Sequence, residues 1–527
     1  MNYSRRNVIA VVGLLFLAIA YLWSSVDAPV IAMDEGMLLA YPEQLVKGRL
    51  PYRDFESYYA PGNLFALLGA YELFGFDIVV ERAVGLLYRL AILAGIFTIA
   101  RRWSLTLAVA ATILSLIIIK VTQLMAFAWW GGVACALWSI VFLAKVELRW
   151  RVGVAGILAG LAVLYRQDLG PAVVLATLPL WLRLGGRDRI KYLGFAIVAL
   201  APLIWITISA GTRATLDNLF AYPVFIAGPA RRLPINSAAP VMLCLLGMHL
   251  LSVALNILAS LLAVRERRDN ANARLFLGTA LLGLAITPQG LQRFDIVHLS
   301  FAASCSIPLL PLSINLLLGR VSKAYVPPLA EGAPVATVFG VMIAVYAMSP
   351  SIQRLYRVSA KAFTLPLDIR GREVPMPSLA TLRSVSRVGG IMERNSRPGE
   401  RVFVGPGDLR RTVMGDTYLY HLLPWLTPGS YFMEMNPSSA NRIGSRLADD
   451  IAGSDWLILN RDYDNLIEPN ASGSLGPDDP NEIVRTRFTL RAEVGSLLVY
   501  ERSSRVKLGS SRENAATDDS LVANPGR

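Results

Sequence analysis

The stretch RRNVIAVVGLLFLAIAYLW at residues 5–23 opens on Arg5 and Arg6 and then runs without a charge from Val8 to Trp23. Helical residues rise about 1.5 Å each, so such a run approaches the roughly 20 residues that span a hydrocarbon core. Val26-Asp27-Ala28 has the small-residue pattern of a signal-peptidase site, but Pro29 follows it directly and the run is long for a signal core. The reading is an uncleaved first span with a cytoplasmic N-terminus.

The rest of the chain extends that pattern. Of 527 residues, 54% are hydrophobic and only 17% charged, against about 25% charged in ordinary soluble chains. A soluble enzyme is excluded. Apolar stretches near 8–26, 82–100, 104–120, 125–144, 153–165, 169–183, 192–210, 240–264, 275–288, 297–318 and 334–349 predict about eleven transmembrane helices. Lys and Arg number 51 against 38 Asp and Glu, a net +13 that would suggest nucleic acid in a soluble protein. Here the basic residues sit in short loops between apolar stretches, so membrane orientation explains them and no nucleic-acid partner is expected. Cys135, Cys244 and Cys305 all fall in predicted spans, which implies neither a disulfide framework nor a cysteine metal site.

With the N-terminus inside, the cytoplasmic loops hold Arg101-Arg102, then Lys145, Arg149 and Arg151, then Arg183, Arg187, Arg189 and Lys191, then Arg265, Arg267, Arg268 and Arg274, then Arg320 and Lys323. The loops around Thr122, Gln167 and Gln292 are nearly free of basic residues, as outer loops are. Treating Pro61–Phe76 as a further span would turn every basic loop outward, so it is read as an interfacial helix. Three outer regions are then long: Asp27 to Glu81, Gly211 to Ala239, and everything after residue 350. The predicted organisation is a transmembrane domain over 1–349, with its chemistry in the first outer loop at 27–81. A periplasmic α/β domain over 350–502 and a disordered tail over 503–527 complete it.

The α/β reading of the C-terminal part rests on local signals. Ser378 is a candidate N-cap before Leu379, Leu382 and Val385. Arg401-Val402-Phe403-Val404 predicts a strand ending at Gly405-Pro406-Gly407, and Ser439–Ile451 a helix. Trp456–Leu459 and Ser496–Tyr500 predict two more strands. The Gly-Pro-Gly turn lacks the spacing and the Lys-Ser/Thr of a phosphate loop, and is read as a structural turn. Asn470-Ala471-Ser472 matches a glycosylation acceptor, a common pattern.

The chemistry concentrates in the first outer loop, where Asp34-Glu35-Gly36 is followed by Pro51-Tyr52-Arg53-Asp54-Phe55-Glu56 and Ala60-Pro61-Gly62. Asp34 follows the first span closely, so partial desolvation at the membrane surface raises its basicity. The plain alternative is a solvated acidic loop. Tyr52, Phe55, Tyr58 and Tyr59 argue for a structured element instead.

Asp34-Glu35-Gly36, Ala40, Gly48, Pro51-Tyr52-Arg53-Asp54-Phe55 and Pro61-Gly62 resemble the first outer loop of the GT-C superfamily of integral membrane glycosyltransferases. The branch is that of the protein O-mannosyltransferases and the lipid A aminoarabinose transferase. Leu158-Ala159-Gly160-Leu161-Ala162 with Tyr165-Arg166-Gln167-Asp168 is similar to a mid-chain segment of the group, and Arg293, Asp295 and His298 to a late outer loop.

The resemblance implies a polytopic α-helical GT-C fold and transfer of a sugar from a polyprenyl-phosphate-linked donor, usually with inversion. The acceptor would be an envelope glycan, lipid or protein on the periplasmic face of a bacterial inner membrane. It implies Asp34 as the base, with Glu35 beside it, and Asp54, Glu56, Tyr52, Asp295 and His298 as acceptor- or sugar-binding groups. Arg53, Arg82, Arg89, Arg166 and Arg293 are candidates for the leaving phosphate, because arginine suits phosphate through its bidentate fork. Arg82 and Arg89 have the alternative of snorkelling or pairing with Glu81, and Arg166 that of an internal ion pair with Asp168. No cofactor is required by these residues. A divalent metal is the one candidate, used by some members of the group and not others, and the first loop contains no histidine. Rival readings are a transporter or flippase of lipid-linked sugars and a non-catalytic envelope assembly protein.

Overall fold

The computed structural model describes residues 5–145, 148–237, 239–266, 270–325, 336–338, 340–341 and 365–504. In chain order the longer helices are α1 (Arg5–Trp23), α2 (Asp34–Val46), α3 (Gly62–Phe74), α4 (Ile78–Ala100), α5 (Leu105–Ile119), α6 (Ala128–Leu143), α7 (Trp150–Tyr165), α8 (Gly170–Trp181), α9 (Gly186–Ala199) and α10 (Ala201–Ala210). After several short helical turns come α11 (Pro240–Glu266), α12 (Ala271–Ala285), α13 (Thr287–Gln292), α14 (Ile296–Ala303) and α15 (Leu310–Tyr325). Two compact units result: one within Met1–Ala28, Ser57–Ala221 and Arg232–Ala362, the other within Pro29–Glu56, Tyr222–Arg231 and Phe363–Arg527. The second unit thus takes in the Asp34 loop and a short mid-chain segment, so its boundary is not a single cut near residue 350.

The first unit is a bundle of apolar helices. Among the described residues four helices are long and apolar enough to cross a membrane, and six if each of two bent pairs is one span. Among the described residues, length thus accounts for four to six of the eleven crossings expected from hydropathy. Val11–Trp23, Ala128–Leu143 and Trp150–Tyr165 are apolar but shorter. The expected span at 334–349 lies largely outside the described residues. Pro61–Phe76 does form a helix, α3.

Both bends have local causes. α9 and α10 meet at 44° where Pro202 enters the first turn of α10, and α14 meets the helix that follows at 44° across Ser304–Ser306. The second break is held by polar side chains that hydropathy averages away. His249 of α11, fully buried, lies 2.7 Å from Ser306 Oγ and 3.0 Å from Thr287 Oγ1, and Asn256 Nδ2 donates to the Ser306 carbonyl at 2.8 Å. In hydrocarbon an unsatisfied carbonyl is costly, so these residues stabilise the interruption. The helix middles are accordingly less apolar than they read in sequence.

Small residues set a close helix crossing. A Cβ on Gly156 would sit 2.2 Å from the Tyr192 carbonyl oxygen, and one on Gly160 2.2 Å from that of Ala196, so α7 and α9 touch through their backbones. The Leu158–Ala162 stretch of the sequence resemblance is this packing face.

The second unit carries the sheet. β1 (Leu365–Ile369) and β2 (Arg372–Met376) form a hairpin whose two turn residues, Arg370 and Gly371, both have positive φ (52° and 76°), as a type I′ turn requires. α16 (Leu379–Asn395) follows, its N-cap Ser378 Oγ accepting from the Thr381 amide at 3.0 Å. β3 (Arg401–Pro406), α17 (Tyr418–Leu422), β4 (Thr427–Pro428), α18 (Leu447–Ala452), β5 (Trp456–Asn460), α19 (Asp479–Arg487), β6 (Phe488–Val494) and β7 (Leu497–Arg502) complete it. The sheet order is β4-β3-β5-β7-β6, parallel across β4-β3-β5 and antiparallel across β5-β7-β6. The helix expected over Ser439–Ile451 is shorter. Gly444 takes φ 73° and the Ser439 hydroxyl bonds the Asn436 carbonyl, so regular helix begins only at Leu447.

Replacing Gly160 by leucine is expected to overpack the α7–α9 contact and lower stability by roughly 1–3 kcal/mol. Thermal unfolding of the detergent-solubilised protein checks this, with Gly247→Ala, where no atom lies within 4 Å of the added Cβ, as the neutral comparison.

Candidate functional site

Asp34 opens α2, in the first turn of a helix whose exposed amides and dipole favour a negative charge. It is half-buried, whereas Glu35 is fully buried and accepts the Ile31 amide at 3.0 Å. Of the two adjacent carboxylates, Glu35 thus secures the backbone entering the helix. This part of the first outer loop is helical, although Pro42 inside α2 removes one intrahelical bond.

What holds α2 comes from far along the chain. A Cβ on Gly36 would lie 2.4 Å from the Tyr418 nitrogen, so α2 and α17 meet backbone to backbone, and the Tyr418 amide donates to the Ala32 carbonyl at 3.3 Å. Glu43, buried, accepts from or shares a proton with His421 Nδ1 at 2.7 Å, and Arg372 lies 3.5 Å from the same oxygen. Lys47 Nζ donates to the carbonyls of Pro424 and Leu426, each at 2.9 Å. Each anchor satisfies a group that burial would otherwise penalise.

The Pro51–Glu56 phrase is a tight loop with its own staples. Tyr52 is buried with φ 71°, a left-handed conformation rare outside glycine. Its amide bonds the Phe55 carbonyl at 2.8 Å, and its carbonyl accepts from the Tyr431 hydroxyl at 2.9 Å. Asp54 accepts the Leu50 amide at 2.8 Å and both Arg53 Nε and Nη2, at 3.1 and 2.7 Å. The Arg53 hydrogen bond holds the Asp54 carboxyl below the usual range. Asp54 and the exposed Arg53 therefore engage each other. Glu56 is buried, its amide bonded to the Tyr431 carbonyl at 2.9 Å.

Three groups that sequence reading did not single out complete this corner. Glu434, buried, pairs with Arg231 at 3.1 Å, and it follows Met433, whose carbonyl accepts from the Thr417 hydroxyl at 3.0 Å. Burial, and next to it the charge of Asp34, raise the Glu434 carboxyl, opposed by Arg231 and Asn436. The Tyr41 phenol is pushed well above its ordinary value, first by burial and then by Glu56 and Glu434. Asp34, Glu56, Glu434, Tyr41 and Arg231 thus form one electrostatic neighbourhood drawn from three chain segments. No local signal marks Glu434 or Arg231, because their relation to Asp34 exists only in the fold. Among the described residues no three His, Cys, Asp or Glu side chains come together as ligands for one metal ion.

The remaining candidates lie in the helical unit. Arg166, buried, forms a two-point pair with Asp168 (2.9 and 2.5 Å), reaches Gln289 at 3.3 Å and stacks on Tyr59 and Trp129 at 4.5 and 5.0 Å. Arg293 pairs with Asp295 at 2.9 Å, and Asp295 both caps α14 and lies 2.9 Å from His298 Nδ1. Trp129 and His298 both pack on Phe301, which brings these two clusters into one aromatic-walled region. Arg89 and Arg82 are engaged differently. Arg89 is fully buried and bonds the carbonyls of Gly85 and Met125 (2.8 and 3.0 Å) and Thr122 Oγ1 (2.7 Å), while Arg82 bonds the carbonyls of Val26 and Ala28. Both hold backbone where helices end.

No protein-family model matches the chain, and no curated protein sequence does. Solved structures do. ArnT from Cupriavidus metallidurans bound to undecaprenyl phosphate aligns over 93% of this chain and 97% of its own, with a TM-score of 0.54 at 15% identity. The chain has the GT-C fold. The apo form of the same ArnT aligns over equal shares at a TM-score of 0.51 and 14% identity. The mycobacterial arabinofuranosyltransferase AftD aligns with 95% of this chain and 42% of its own at a TM-score of 0.45 and 14% identity.

One titration should be visible in stability. Asp450 Oδ2 accepts the Tyr431 amide at 2.8 Å, and burial raises its carboxyl from 3.8 to about 6 against the opposing pull of that hydrogen bond, Arg446 and Arg401. A folded-state value above the unfolded one means that its contribution is intact below about pH 4 and lost as pH rises through about 6. Asp450→Asn is therefore expected to melt like wild type at pH 4 and to be more stable at pH 7.5, by at most roughly 3 kcal/mol. Thermal melts at the two pH values test it.

Proposed function

We propose that the chain is a membrane glycosyltransferase of GT-C type that takes a sugar from a polyprenyl-phosphate-linked donor. The acceptor would be an envelope glycan, lipid or protein on the periplasmic face of a bacterial inner membrane. The fold likeness to a polyprenyl-phosphate-bound transferase, over nearly the whole of both chains, carries this reading. The charge of the short loops supports a cytoplasmic N-terminus, with the Asp34 segment and the sheet on the outer side. A donor used there must bring its own leaving group, and a lipid phosphate delivers one within the bilayer.

In this reaction the acceptor hydroxyl attacks the anomeric carbon as its proton passes to Asp34 and the bond to the lipid phosphate breaks, inverting that centre. Asp34 suits the role through its half-exposed position at a helix N-terminus beside the buried Glu434–Arg231 pair. Arg166 and Arg293 are the better-supported contacts for the leaving phosphate, since side chains rather than backbone carbonyls dominate their surroundings. His298 and Asp295 would line the sugar beside them, and Tyr52, Asp54 and Glu56 shape the loop that receives the acceptor. A divalent metal has no ready ligand set among the described residues, so no step is assigned to one.

The test compares envelope sugar composition in cells lacking the protein, complemented with wild type or Asp34→Asn at matched membrane levels. One sugar is expected to vanish in the deletion and return only with wild type, with transfer by the variant reduced roughly 10²–10⁴-fold. Full restoration by Asp34→Asn would sink the base assignment and favour a transporter or assembly role.

A further inference from the structure

The sheet contains a second place built for a ligand. β3 and β5 are adjacent and parallel, yet the chain leaves β3 for β4 on one side and leaves β5 for β6 and β7 on the other. Where neighbouring connections diverge, a crevice opens beyond the carboxyl ends of the strands, and ligands of open α/β sheets bind there. A cleft of about 330 Å³ lies at this point. Gly407 and Asp408 follow β3, Arg461 and Asp464 follow β5, and Asn481 and Arg485 come from α19. Gly407 is required by space: a Cβ there would fall 2.6 Å from Asp464 Oδ2.

The bonding of the loop after β3 restricts what the cleft can hold. The amides of Gly407, Asp408, Leu409 and Arg410 already donate to the Asn460 carbonyl, Asp464 Oδ1, Asn481 Oδ1 and Asp408 Oδ1, at 2.7 to 3.1 Å. A phosphate cradle needs such amides directed at the ligand, so a nucleotide or phosphate is a poor fit. Recognition falls to side chains, and these alternate in sign and balance: Asp408, Asp464 and Asp478 against Arg410, Arg461 and Arg485. Hydrogen bonding to Arg410 holds the Asp408 carboxyl at about 2, so it stays an acceptor at any physiological pH. The half-buried Tyr500 adds an aromatic side chain to the wall.

We propose that this cleft is a saccharide-binding site, distinct from the Asp34 corner. Ionised carboxylates accept from sugar hydroxyls, guanidinium groups donate to hydroxyl and ring oxygens, and the Tyr500 ring takes the apolar face of a pyranose. A neutral polyol, carrying donors and acceptors on adjacent carbons, matches interleaved Asp and Arg where a net anion does not. The site does not depend on the transfer reaction, since its residues lie apart from those assigned to it.

The test is saturation-transfer NMR on the full-length protein in phosphatidylcholine nanodiscs, which carry no sugar headgroup. The probes are maltotriose, mannotriose, trehalose and N,N′-diacetylchitobiose. At least one is expected to bind saturably and to weaken by about tenfold or more in Tyr500→Ala and in Arg485→Gln, on the order of a truncated contact residue. Arg485 is exposed, so its variant keeps the test independent of folding, which melting temperature confirms. Silence from every probe, binding that Arg485→Gln leaves unchanged, or displacement by equimolar inorganic phosphate would each overturn the proposal. Asp34→Asn should bind like wild type even where transfer is lost, which separates this site from the reaction.

Discussion

The contact on which the candidate site depends is the seating of α2 against residues 417–426. α2 is short and interrupted by Pro42, and a helix of its length is marginal alone. It keeps its place because Gly36 allows backbone contact with Tyr418, Glu43 meets the buried His421, and Lys47 holds two carbonyls. Asp34 stands at the end of this helix, so the position of the proposed base is set by residues nearly four hundred positions downstream. The sheet supports that seat: β3 anchors Tyr420, whose hydroxyl accepts from the Val404 amide at 3.0 Å.

The two polar regions follow different physics. In the corner around Asp34 the carboxylates are mostly buried and their charges are costly, so Arg231, Tyr41 and the helix terminus are arranged about them. Around Arg166 and Arg293 the charges come in pairs walled by Trp129 and Phe301, which sets ion pairs beside apolar surface.

The membrane character was legible because it is local: apolar runs separated by short basic stretches. So were Ser378 as a cap and the strands beginning at Arg401 and Trp456. Span number is less legible, because helices such as Val11–Trp23, Ala128–Leu143 and Trp150–Tyr165 are apolar but fall short of a full crossing in length. His249 and Asn256 vanish into the average of an apolar helix. Arg89 looked like a phosphate ligand since its carbonyl partners at Gly85 and Met125 carry no mark in sequence. Glu434 and Arg231 were invisible for the same reason, each being ordinary until the fold brings three segments together.

That second unit is assembled from residues 29–56, 222–231 and the region after 363, and this has a consequence for biogenesis. The Asp34 segment leaves the ribosome well before His421, Tyr431 and Glu434, and cannot meet them until nearly four hundred further residues have been made. Contacts across such sequence separations close late and slowly. The acidic corner is therefore absent from any chain cut before residue 434, and the proposed base reaches its working position only after that region has been made.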